Sequence, residues 1–232
     1  MKKLLLIAPL ALAACSQSEP EPPPTPTPTP TVAQPRALAP ADLDLSTLGA
    51  KIVGPQGPEV ETVLSAGNRE IGKMTSFVAC PEEAEVCVPG DMPEGTIYTY
   101  VHRVTLADAP AEEQEAQPTE GPEVIESAPT LFRMTQEAQG FNRAVGYSNA
   151  QALEALGSED AISITSDGGQ LIWRVTEGGG WKPGSTITFW WQSTLPPAGP
   201  ADAYLLEVNG NQAVAKGPFP AEEKPAGAPR PN

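Results

Sequence analysis

Between residues 41 and 217 the dominant hydrophobic period is two, and that spacing predicts strands, because successive side chains of a strand leave on opposite faces. Residues 96–105 show it most clearly: Ile97, Thr99, Val101 and Arg103 fall on one face, Tyr98, Tyr100, His102 and Val104 on the other. Residues 161–165 and 170–176 flank Ser166-Asp167-Gly168-Gly169, where Asp-Gly supplies the positive φ values of a tight hairpin turn. Residues 204–208 and 211–216 form a second hairpin about Asn209-Gly210 by the same logic. Further strands are predicted at residues 59–64, 73–79, 131–135 and 186–193. One helix interrupts them. Ser148-Asn149-Ala150-Gln151 fits a capping box, Ala152, Leu153, Ala155 and Leu156 follow, and Gly157 is placed to end the helix. Many short strands with turn signals predict an all-β fold, an antiparallel sandwich or barrel, with this helix covering one end.

The ends of the chain follow other rules. Lys2 and Lys3, an apolar run over residues 4–12 and small residues at Ala13 and Ala14 make a secretory signal. A membrane span needs about 20 apolar residues, and this run gives way to Ser16, Gln17, Ser18 and Glu19. A secreted protein cut beside Ala14 is one reading of these residues. The motif Leu12-Ala13-Ala14-Cys15, however, resembles the lipobox of bacterial lipoproteins, a resemblance confined to these first residues. It implies a diacylglyceryl group on the Cys15 sulfur, cleavage before Cys15 and acylation of the new amino terminus. With Ser16 rather than aspartate next, it also implies an outer-membrane address facing the periplasm. Two or more acyl chains hold a protein firmly to a bilayer.

Residues 19–40 carry nine prolines, including a Pro-Thr run from Pro24 to Pro30. Proline fixes φ and lacks an amide donor, so the stretch is expected to be an extended, disordered spacer, with a docking site for a proline-recognising partner as the alternative. The tail from Pro218, with five prolines, is expected to be loose as well. The division that follows is a signal peptide over 1–14, a lipidated cysteine and linker over 15–40, one β-rich domain over 41–217 and a flexible tail over 218–232.

Charge narrows the partners. Without residues 1–14 the chain holds 12 basic against 29 acidic residues, a net charge near −17. It lacks the lysine and arginine stripe that nucleic acid requires. Solubility explains such charge, and attraction to a basic protein or to cations is the sharper alternative. Two acidic segments stand out, residues 81–95 with five acids and residues 108–126 with seven, neither holding a base. Calcium would be their functional reading, but the spacing matches no EF-hand loop, and solvated excursions are expected. In an oxidising periplasm the two remaining thiols, Cys80 and Cys87, are expected to close a structural disulfide. The single histidine, His102, argues against a closed zinc site; no metal or cofactor is expected.

Candidate binding residues are aromatic. Over residues 186–193 alternation places Ile187, Phe189 and Trp191 on one face and Thr186, Thr188 and Trp190 on the other, so each face carries a tryptophan. Trp181 follows a run of three glycines in a loop. Trp181 and Trp190 are therefore candidate platforms for a sugar or another ligand, set against the commoner use of aromatics in cores. No hydrolase elbow, phosphate loop or zinc-protease motif is present. His102 is the one available imidazole base, and its strand position looks structural. The sequence thus predicts a lipid-anchored, non-catalytic envelope module for binding or structure. The alternatives are a glycan-directed binding protein or hydrolase and an inhibitor or partner of a basic envelope protein.

Overall fold

The computed structural model describes residues 34–108 and 130–221. The expected signal peptide, Cys15, the Pro-Thr run, nearly all of the second acidic segment and the end of the tail lie outside them.

The chain runs β1 (Arg36–Leu38), β2 (Ala41–Asp42), a 3-10 turn (Leu45–Thr47), β3 (Leu48–Lys51), β4 (Val60–Ala66), β5 (Arg69–Pro81) and β6 (Tyr98–Leu106). It continues with β7 (Leu131–Met134), β8 (Phe141–Tyr147), α1 (Asn149–Leu156), β9 (Ile162–Asp167), β10 (Gln170–Val175), β11 (Thr186–Ser193), β12 (Pro197–Val208) and β13 (Asn211–Pro220). One sheet has the order β1-β9-β10-β7-β12-β13. The other has the order β2-β8-β11-β6-β5-β3, and the first half of the long β5 pairs β4 along the edge that β3 takes further on. The pairing is antiparallel except between β2 and β8. On one side the two sheets come together where the Thr62 hydroxyl of β4 donates to the Lys216 carbonyl of β13 at 2.9 Å. The all-β class with one short helix is thus the fold observed.

An aromatic seam joins the sheets. Phe132 stacks on Phe189 with centroids 4.8 Å apart, Tyr204 lies 4.1 Å from His102, and Trp191 lies 6.1 Å from Phe219. Each such pair contributes about 0.5–1.5 kcal/mol beyond simple area burial. The first sheet keeps one wet face: Leu171 and Trp173 of β10 are buried while Arg174 between them and Val175 is exposed. In the second sheet β11 is covered on both faces, which is why its sequence carries tryptophan on each.

Several boundaries differ from the sequence reading, and each has a local cause. The first hairpin turns at Gly168–Gly169, with φ of 54° and 81°, because Asp167 is still paired with Gln170. The second turns at Asn209 and Gly210 as expected, with φ of 50° and 77°. Strand pairing begins inside the expected linker, since Ala37 pairs with Thr165, and it extends into the expected tail, to Pro220. Phe219 draws that tail in by filling the core, and Pro218 and Pro220 are tolerated because β13 is an edge strand. The capping box is half formed. Ser148 accepts from the Gln151 amide at 3.5 Å and Gly157 caps in the left-handed region, but Gln151 Oε1 accepts from the Thr188 amide at 2.7 Å, tying α1 to β11 beyond the point where β8 ends.

Candidate functional site

The outer face of β5, β6 and β11 carries a second, smaller apolar cluster of Phe77, Ala79, Val101 and Trp190, roofed by Leu43 and Leu48. The roof is a strap, residues 41–48, and its shape follows from two aspartates. Asp44 Oδ1 accepts from the Ser46 amide at 2.8 Å and so closes the 3-10 turn. Asp42 Oδ1 accepts from the Asn149 amide at 2.9 Å, which fastens the strap to the first turn of α1. Ala41 passes so close to β8 that any side chain at position 146 would meet its backbone carbonyl, and the residue there is Gly146.

Opposite the strap stands the loop between Cys80 and Cys87, whose Cα atoms lie 5.7 Å apart at disulfide distance, as expected for this pair. Ala84 is held by Ala50, whose amide donates to the Ala84 carbonyl at 2.9 Å. Strap and loop enclose a groove of about 350 Å³. Trp190, Gln192 and Thr99 form its floor; Asp42 and Asp44 line one wall, Glu82 and Glu83 the other, and no lysine or arginine lines it. Trp190 is 6% exposed, and its indole N–H has no hydrogen-bond partner. The Gln192 amide is engaged, donating to the Thr99 hydroxyl at 3.2 Å.

Trp181 is elsewhere. It is 7% exposed, donates to the Ser185 carbonyl at 3.3 Å and packs edge-on against Phe189, on the face of β11 opposite Trp190. Two other concavities, of about 660 Å³ and 340 Å³, border it. The Lys182 side chain donates to the Glu154 carbonyl at 2.7 Å, so this loop also closes the end of α1. The two candidate tryptophans therefore line different concavities, and neither presents an open ring.

His102 is fully buried, with Ser76 Oγ 2.8 Å from its Nδ1 and no partner at Nε2. Burial pushes its pKa from 6.5 down to about 3, so the ring is neutral and a weak base. Ser76 is equally buried, and neither residue lines the groove or the concavities beside Trp181. A serine and an imidazole in contact are the start of nucleophilic catalysis, but here nothing can reach them. Among the described residues no three His, Cys, Asp or Glu side chains gather into a metal-holding group.

Of the groove residues, the sequence reading singled out Trp190 and marked Glu82 and Glu83 as part of an acidic segment. It missed the strap, although Leu43 and Leu45 alternating with Asp42 and Asp44 carry a short strand-like signal. No protein-family model, no curated protein and no solved structure matches this chain.

Proposed function

We propose that the protein is a lipid-anchored module of the bacterial envelope that acts by binding, through the groove over Trp190. The observation that carries the reading is the groove itself: two walls of different sequence origin, both acidic, meet over an indole whose N–H is unsatisfied. Against catalysis stands the burial of the chain's one imidazole, which removes histidine-based acyl transfer from the options. Acyl chains on Cys15 would hold the protein at the outer membrane, facing the periplasm. The 20 residues between Cys15 and Arg36 would let the domain stand off by up to roughly 60 Å, at about 3.1 Å per extended residue. A glycan-directed role for Trp181 and Trp190 has less support, because stacking needs an open ring face.

Photo-crosslinking in cells tests the binding reading. A crosslinking residue in place of Glu83 is expected to give a discrete adduct that the same residue in place of Glu154, on α1, does not. No adduct from position 83 would remove the groove from consideration.

A further inference from the structure

The loop that walls the groove has a second surface. A bridge between Ile52 and Cys87, running parallel, sets Val53 beside Val88, with Val86 one residue before Cys87. Ile52 and Cys87 are buried, whereas Val53, Val86 and Val88 are 87%, 70% and 46% exposed. Exposed apolar side chains are ordinary singly, but a group of them rimmed by charge marks an interaction surface. On the loop's side the rim is acidic, and Lys51, one residue before Ile52, is paired with Glu59. Residues 81–95 contain Glu82, Glu83, Glu85, Asp91 and Glu94 and no base. Two observations thus fall on and beside one small loop whose ends lie at disulfide distance: exposed Val86 within it and Val53 and Val88 outside it, and a wall of a groove lined by four carboxylates and no cation.

We propose that this loop and groove form the docking surface for a basic, amphipathic segment of a partner polypeptide. Lysine or arginine side chains would enter the groove between Asp42, Asp44, Glu82 and Glu83, and apolar side chains would cover Val53, Val86 and Val88. Trp190 lies beneath them at the groove floor. Charge complementarity names the partner's sign; the valines add the requirement for apolar residues beside the charges. The proposal rests on the binding reading given above.

The test uses the full-length protein in neutral detergent and a short synthetic peptide that alternates lysine and leucine, with binding followed by calorimetry at low and high salt. Binding is expected at low salt and is expected to weaken steeply as salt rises. The variant Asp44→Asn/Glu82→Gln/Glu83→Gln should bind about tenfold more weakly, and Val86→Ser/Val88→Ser several-fold more weakly. A control that removes as many charges elsewhere, Glu154→Gln/Glu159→Gln/Asp167→Asn, should stay within about twofold of wild type. Equal loss in groove variant and control would overturn the proposal, because the peptide would then be sensing net charge alone. No loss on removal of the valines would overturn the amphipathic part of it. Peptide failure with quenching of Trp190 by uncharged cell-wall glycan fragments would sink the partner class while leaving a binding module, and failure of both probes would remove the binding reading too.

Discussion

At His102 the fold holds an imidazole in a place that disfavours its charged form. The unfolded ring titrates near its ordinary value of 6.5 and the folded one near 3, so between those values the unfolded chain takes up a proton that the folded protein refuses. Stability from this residue is complete above pH 6.5 and falls by about 1.4 kcal/mol per pH unit below it, levelling off near pH 3. Urea unfolding at pH 7 and pH 5 should show the loss, and His102→Gln should lessen it by about 2 kcal/mol over that interval. An unchanged difference between the two proteins would mean that the ring is solvated in the folded state. Gly146 supplies a second consequence at the same scale. A methyl group there meets the Ala41 carbonyl, so Gly146→Ala should cost about 1–3 kcal/mol as an overpacking change and displace the strap. Trp190 emission should then move to the red, and a spectrum identical to wild type would show that the strap can shift without uncovering the ring.

Elements were legible in the sequence where alternation was unbroken and turn chemistry was local. The strand over residues 186–193 coincides with β11, and Asn209-Gly210 turns where its backbone preference says it should. β8 was invisible for a physical reason. Arg143 adopts φ of 77°, stabilised by Asn142 Oδ1 accepting from the Ala144 amide at 2.9 Å, and the pairing with β11 shifts register between Trp191 and Ser193, so no simple period survives. β1 was hidden by the prolines on either side of it, Pro35 and Pro40, and the end of β13 by Pro218 and Pro220, which forbid a central strand but not an edge. Here tertiary packing decides, and Phe219 is the residue that decides it. Phe219→Ala should therefore destabilise the protein by about 3–5 kcal/mol, measured by thermal or urea unfolding. A change within error would return residues 218–220 to the status of a dispensable tail. The candidate site was readable only in pieces. Trp190 and the acids of the disulfide loop announce themselves in sequence, but nothing in the chain order says that residues 41–48 will lie across residues 190–192.

For the whole molecule, the proposed lipid on Cys15 and the Cys80–Cys87 pair make separate predictions. Cys15→Ser should move the protein from the detergent phase to the soluble fraction of cells, and continued partitioning with detergent would count against the lipid. The Cys80–Cys87 pair closes a loop of six intervening residues, for which the chain-entropy estimate is about 2.5 kcal/mol. Cys80→Ala/Cys87→Ala should lose about that much in urea. The same variant should also weaken binding in the groove, because the wall carrying Glu82 and Glu83 loses its closure. Loss of stability with intact binding would show that the loop holds its position through the Ala50 and Ala84 hydrogen bond alone.

The strand order also constrains how such a chain can come into being. β1 and β13, the first and the last of the described strands, form opposite edges of one sheet. β12 enters between β7 and β13 only after nearly two hundred residues have been made. In a growing or threading polypeptide the sheet that holds β13 is therefore incomplete until Phe219 has emerged, and pairing between such distant segments is intrinsically slow. Closing of that sheet is therefore expected to come late, after every strand of the other sheet is already present in the chain.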